Sequence, residues 1–298
     1  MAKKILLIVC CCTFSLTLDA QDDLLKLAQE ESKPLKEKVT ATFKTTKLIN
    51  AQTNETVHRR TLDFRVGHRF GNIGKYTNGQ SATHTLYGLD ASTDIRIAFE
   101  YGITDALTVG LSRSKLNENY EGLAKIRVLQ QTMDNKIPVA LTLFANAAIT
   151  AQKDNAKVYD KTTRRLSYTF QAIIARKFSS RISLAVLPTL VHRNFVFDAS
   201  DDNDIFALGG AARIKITKGT CFIVDYFYDW SQYRINRSKT YFDPLGAGFE
   251  LETGGHVFTI MFTNSAGIIE NELIPYTTDD WFDGGVKFSF NISRNFRL

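Results

Sequence analysis

Val286-Lys287-Phe288-Ser289-Phe290-Asn291-Ile292-Ser293-Arg294-Asn295-Phe296-Arg297-Leu298 closes the chain on thirteen residues that alternate between apolar and polar. Val286, Phe288, Phe290, Ile292, Phe296 and Leu298 share one face of an extended strand, and Lys287, Ser289, Asn291, Ser293, Asn295 and Arg297 share the other. Only Arg294 breaks the phase. In water, a long amphipathic strand at a chain end leaves an apolar face and an open edge. In a bilayer the same strand closes a ring and turns its apolar face to lipid. A soluble sandwich also alternates, so the rest of the chain decides.

The N-terminus speaks for export. Lys3 and Lys4 precede a largely apolar run, residues 5–16, and Leu18-Asp19-Ala20 before Gln21 has the form of a cleavage site. Residues 1–20 therefore read as a removable signal peptide. No stretch of 18 apolar residues follows, so any membrane residence must come from strands. Cys10, Cys11 and Cys12 leave with the signal and only Cys221 remains, which excludes a disulfide scaffold. Ile8-Val9 before Cys10 lacks the small residue of a lipidation site.

Composition suits both soluble proteins and barrels: 44% hydrophobic residues, a mean hydropathy of -0.15 and a formal charge of +6. The basic residues form no run longer than a pair, so no nucleic-acid partner is expected.

Residues 21–56 read as a periplasmic lead-in with room for one extra strand, and residues 57–298 as the barrel. The period of two recurs in Leu62, Phe64 and Val66 against Asp63, Arg65 and Gly67. It recurs again in Phe222, Val224, Tyr226, Tyr228 and Trp230 against Cys221, Asp225 and Asp229. Thirteen candidates result: 39–50, 57–70, 92–102, 105–114, 119–130, 137–150, 164–178, 181–193, 205–217, 220–231, 244–252, 255–264 and 284–298. The first alternates worst, with Thr45 and Lys47 in phase with Phe43, and reads as a periplasmic or lumenal extra outside the count of twelve. An even number brings both ends to one side. The expectation is an all-β, transmembrane, antiparallel up-and-down barrel of about twelve strands, or fourteen if another hides in residues 71–91.

The connections sort by length. Long ones fall near 71–91, 151–163, 194–204, 231–243 and 265–283, with a shorter member near 115–119. Tight turns fall at 102–105, 178–181, 217–220 and 252–255, with 133–136 of middling length. This sorting is the habit of outer-membrane barrels, with short periplasmic turns and long external loops.

Several pieces carry a resemblance: Leu86-Tyr87-Gly88-Leu89-Asp90, Phe99-Glu100-Tyr101-Gly102-Ile103-Thr104-Asp105, Leu187-Pro188-Thr189-Leu190-Val191-His192-Arg193-Asn194, Glu252-Thr253-Gly254-Gly255-His256-Val257-Phe258 and Phe290-Asn291-Ile292-Ser293-Arg294. Together they resemble an uncharacterised Bacteroidota outer-membrane β-barrel family, known as a domain of unknown function. The resemblance implies an outer-membrane barrel with no established activity, so no catalytic or binding residue is carried over.

The chemistry-bearing residues are those of the inner phase. Asp63, Arg65, Arg69, Arg96, Glu100, Lys125, Arg127, Arg165, Arg213, Lys215, Asp225, Asp229, Glu250, Glu252 and Lys287 all fall on the polar face and are the lumen-lining candidates. Twelve strands lie between the filled interior of eight and the aqueous channel of sixteen, so paired charges of both signs suit a salt-bridged plug or a narrow pore. His68, His192 and His256 fall on the lipid-facing phase. His192 is the residue a lipid-hydrolase alternative would use, but no G-x-S-x-G accompanies it. The acidic stretch 198–204 lacks the glycine and glutamate of a calcium loop, and Asp279, Asp280, Trp281 and Asp283 read as an exposed loop.

No catalytic residue, metal or cofactor is expected. The expected protein is a non-enzymatic barrel in the outer membrane of a Gram-negative bacterium, a narrow pore or a structural and binding barrel. Its expected partners are outer-membrane lipid and, through the C-terminal strand, the barrel assembly machinery. The alternatives are the lipid hydrolase and a soluble periplasmic β-sandwich.

Overall fold

The computed structural model describes residues 37–74, 82–196, 201–230 and 241–298. The signal segment and most of the lead-in lie outside the described residues. Twelve strands are found among those described: β1 Thr61–Asn72, β2 Ser92–Gly102, β3 Leu107–Ser114, β4 Asn119–Leu129, β5 Ala140–Thr150, β6 Leu166–Lys177, β7 Ile182–Arg193, β8 Asp204–Lys215, β9 Thr220–Asp229, β10 Leu245–Thr253, β11 His256–Thr263 and β12 Lys287–Arg297. Each pairs antiparallel with its sequence neighbour, and β1 pairs with β12 to close the ring. A single closed sheet is not a sandwich, so the β-sandwich alternative falls.

Closure is the work of the terminal strand. Thr61 pairs with Arg297 and the register runs unbroken to Arg69 with Ser289. The outward set of this seam stacks aromatic on aromatic: His68 lies parallel to Phe290 at 5.4 Å between ring centroids, and Phe70 lies 5.5 Å from Phe288. Arg294, the blemish in the alternation, is exposed and lies over the Phe296 ring at 5.0 Å. It stands four residues from the chain end, where an outward charge costs about 0–1 kcal/mol instead of the roughly 2–4 at mid-membrane.

The outer surface is apolar all round, with Phe99, Leu111, Phe170, Phe206, Tyr228, Phe249 and Ile260 among its exposed side chains. No helix among the described residues is long and apolar enough to cross a membrane. The wall has one soft place. Between β6 and β7 the register reaches Gln171 with Thr189 and resumes at Ile174 with Val186, because Pro188 has no N–H to give to β6.

The ends of the barrel differ. Tight turns join β2 to β3, β6 to β7, β8 to β9 and β10 to β11 at the end where β1 starts and β12 stops. Long connections, including residues 264–286, crowd the other end. Residues 39–50, the candidate extra strand, join no ladder; Lys47 makes one isolated bridge with Gln52, and Lys38 just before them makes another with Thr132. Their place is inside the ring, where Phe43, Leu48, Ile49 and Ala51 are almost wholly buried.

Candidate functional site: a lumen filled from both ends

The chain enters the bore beside the tight turns. Val39 donates its N–H to the Gln131 carbonyl at 2.7 Å, and Met133 donates to Glu37 at 2.9 Å. It then folds as a hairpin: Leu48 N–H meets the Ala51 carbonyl at 2.8 Å, and Thr53 N–H meets that of Thr46 at 2.9 Å. A hairpin tip leaves several N–H groups pointing together, and in a closed bore each needs an acceptor. Asp225 of β9 supplies it. Its Oδ2 accepts from the N–H of Ile49, Asn50 and Ala51 at 3.2, 2.7 and 2.8 Å, and its Oδ1 accepts from Asn50 Nδ2 at 2.9 Å. Gly246 of β10 makes room, since a Cβ there would sit 2.6 Å from Ile49 Cγ2. Arg69 of β1 holds the tip from four strands round the ring, donating from Nη2 to Asn50 Oδ1 at 2.8 Å.

The hairpin stem is held by charge. Lys125 Nζ reaches the carbonyls of Thr46 and Thr53 at 2.5 and 3.1 Å. Arg65 donates to Thr46 Oγ1 at 2.9 Å and to Asp63 at 2.8 Å, and Thr46 Oγ1 donates to Glu100 at 2.8 Å. Nearer the mouth, Arg127 lies 3.7 Å from Glu55 and Lys44 lies 2.6 Å from Glu252.

From the other end, part of the long connection after β11 folds inward as a cap that includes the single helical turn Glu270–Leu273. Its Ile268 N–H donates to Asp94 at 3.0 Å, and Asn271 Nδ2 donates to Ser167 Oγ at 3.0 Å. Glu272 is buried, with Asn117 Nδ2 on one oxygen at 2.8 Å and Asn119 Nδ2 on the other at 2.7 Å. Burial, with Asp94 nearby adding to it, lifts its carboxyl to about 7 against those two hydrogen bonds. Arg193 donates to Tyr276 Oη at 3.0 Å and lies over its ring. Where cap meets hairpin, Glu270 Oε1 receives both Lys47 Nζ and Gln52 Nε2.

The remaining charged candidates pair along the wall. Arg96 binds Glu121 at 2.7 Å, Arg213 binds Glu250 at 2.8 Å, and Lys287 reaches Asp279 of the cap connection at 2.5 Å. Asp229 is buried near the long-loop end, with its N–H donated to Asp243. Lys215 is half-buried at the tight-turn end of β8. Arg165 stands apart. It belongs to the 3-10 turn Thr162–Arg165 at the rim, donates to the Thr150 and Gln152 carbonyls, and lies over the Tyr159 ring at 4.6 Å.

Several residues escape the sequence reading: Asp94, Glu121 and Arg193 on the wall, and the hairpin and cap themselves. The wall acids and Arg193 stand on the inner phase of β2, β4 and β7, where parity finds them. The insertions leave a subtler sign. Phe144, Ile173, Leu187, Val191, Ile205, Ile223 and Phe227 are buried on the inner phase, where an aqueous bore would carry polar residues. With Phe43, Leu48, Ile49, Leu273 and Ile274 they form one apolar cluster.

Outside the lumen, His192 Nδ1 meets Asp204 at 2.7 Å and Nε2 meets Asn194 at 3.0 Å, so neither ring nitrogen faces a serine. No cluster suited to a metal occurs among the described residues, and residues 198–200 of the acidic stretch lie outside them.

The model of the family described as "Membrane bound beta barrel domain (DUF5777)" matches residues 43–296, the span from the hairpin to the closing strand. The chain belongs to this family. The matched region of this membrane-bound barrel domain thus takes in both the ring and the segment that fills it. No curated protein matches the chain. Among solved structures it is similar in barrel shape to the KdgM porin in complex with disordered oligogalacturonate, at 6% identity over 79% of this chain and 99% of that one, with a TM-score of 0.46. It is also similar to Omp33 of Acinetobacter baumannii, at 8% identity over 80% and 98% and a TM-score of 0.39. The translocator domain of the autotransporter NalP from Neisseria meningitidis covers 96% of this chain and 98% of its own at 10% identity and a TM-score of 0.37.

Proposed function

We propose that this protein is a non-enzymatic outer-membrane pore of a Gram-negative bacterium, held shut at rest by its own residues 39–57. In this reading the signal peptide directs export, the tight turns face the periplasm and the C-terminal strand is what the barrel assembly machinery engages. The observation that supports it most is the way the hairpin is held. Lys125, Arg65, Glu100 and Asp225 bind it through carbonyls, a hydroxyl and N–H groups, all of which water replaces when the hairpin leaves. Withdrawal would open a bore with one charged side that wets readily.

A second reading has its own observation. The apolar cluster around Phe43, Leu48 and Ile49 is what a permanently solid structural barrel would build. Planar-bilayer recordings separate the two. The full-length barrel should be mostly silent, and a barrel lacking residues 37–55, shown to be folded by heat-modifiable migration, should conduct ions steadily. A folded but silent truncated barrel would overturn the pore and leave the structural barrel.

A further inference from the structure

The hairpin and the cap come from opposite ends of the barrel and share a buried ion pair. Lys47 Nζ rests on Glu270 Oε1, with side-chain exposures of 2% and 1%. Gln52, across the hairpin from Lys47, donates to the same oxygen at 3.0 Å. Arg96 and Glu121 act on Lys47 and bond to each other. Arg69, Arg96 and Lys125 act on Glu270, but Arg69 is bonded to Asn50, Arg96 to Glu121 and Lys125 to the Thr46 and Thr53 carbonyls.

A buried ion pair has an asymmetric energetics. Its net contribution is small, because desolvation offsets attraction, but removing one partner strands the other in a poorly solvated place. Lifting the cap takes Glu270 from Lys47 and leaves an ammonium inside the bore. Withdrawing the hairpin takes Lys47 and Gln52 from Glu270, so the cap loses both contacts that hold this oxygen even though the wetted bore then solvates the carboxylate. Each insertion is thus most stable when the other is seated, and a coupling of this kind acts equally in both directions.

We propose that Lys47, Gln52 and Glu270 form an interlock that couples the two faces of the barrel, so that displacing the cap at the long-loop face loosens the hairpin at the tight-turn face, and the reverse. The barrel then reports an event on one side of the membrane to the other. The proposal rests on the reading of residues 39–57 as a withdrawable gate. It adds that the gate is released from the far side: a ligand or contact that holds the cap outward need never touch the hairpin.

Hydrogen–deuterium exchange of the full chain, folded in detergent or lipid, tests this without recording current. Glu270→Gln should speed exchange tenfold or more in residues 265–277 and also in residues 46–53. Lys47→Met should do the same in the same two segments, and the apolar pair Lys47→Met with Glu270→Leu should slow both again. Tyr276→Ala loosens the cap through Arg193 without touching Lys47, so it decides the matter if the charge variants fail to fold; it too should speed residues 46–53. Faster exchange confined to the segment that carries the substitution would overturn the interlock. A silent truncated barrel in the bilayer recordings would instead overturn the pore and leave the exchange result standing.

Discussion

The inner wall of this barrel has two arcs that read alike in sequence and differ in content. Along β1–β4 and β10–β12 the inward residues are mostly polar and many are charged, as with Asp63, Arg65, Arg69, Asp94, Arg96, Glu100, Glu121, Lys125, Glu250 and Lys287. Along β5–β9 they include Phe144, Ile173, Leu187, Val191, Ile205, Ile223 and Phe227, with Asp225 set among them. Both arcs turn apolar residues outward, so lipid does not explain the difference. The two insertions do. The apolar arc shares one cluster with Phe43, Leu48, Ile49, Leu273 and Ile274, while the charged arc holds the hairpin's polar stem and, through Asp94 and Asn119, the cap at Ile268 and Glu272. A lumen designed only for water would need no apolar arc, and a solid core would need no charged one.

The comparison can be broken from either side. The largest effect is expected on the apolar arc. Phe227 is fully buried with its ring over Gly209, where a Cβ would lie 2.5 Å from Cε1. Phe227→Ala should therefore lower unfolding stability by about 3–5 kcal/mol, read from the denaturant midpoint. Asp225→Ala comes next, because it strands three hairpin N–H groups and an amide; it should weaken seating of residues 46–53 by about 3 kcal/mol, read by exchange protection. Asp225→Asn keeps an acceptor and should do less.

Acidity sharpens the contrast at the cap. Glu272 has its ordinary value of 4.5 raised to about 7 when docked. The docked cap holds its proton more tightly than the free one, so this residue's contribution to docking is fully present below about pH 4.5 and is lost as pH rises through 7. The rise of about 2.5 pH units at roughly 1.4 kcal/mol each corresponds to about 3–4 kcal/mol across that window. Protease nicking within residues 265–277 should rise from pH 5 to pH 8 in the wild type, and Glu272→Gln should flatten the profile. The smallest effect belongs to Lys44 with Glu252, a pair open to solvent at the mouth: Lys44→Ala should change stability by about 0–1 kcal/mol.

The strands were legible because alternation needs only local residues. Segments 92–102 and 182–193 appear within a residue of where the pattern puts them, and the closing strand pairs with β1 as its open edge requires. Arg165 shows the limit of parity, since the strand it was assigned to begins at Leu166 and the turn before it re-aims the side chain to the rim. The poor alternation of residues 39–50 marks them as a periplasmic or lumenal extra, but their hairpin shape was not legible, because it is owed to Asp225, Lys125 and Arg69 far along the chain. Its trace lay in the apolar inner residues of β5–β9, which make sense only if something other than water fills the bore.

A disulfide between hairpin tip and wall tests that filling most directly. In a chain lacking residues 1–20 and carrying Cys221→Ser, Ile49→Cys removes the Cγ2 that a Cβ on residue 246 would meet at 2.6 Å. Gly246→Cys then needs only the side-chain ends of Asp225 and Asn50, at 2.9 and 3.0 Å, to give by a few tenths of an ångström, which brings the two thiols within reach of the Cβ spacing of roughly 3.5–4.5 Å that a disulfide takes. The account predicts rapid, nearly complete cross-linking in the folded barrel, seen as a reductant-sensitive gel shift. A folded barrel in which the two thiols stay free under oxidant would contradict it.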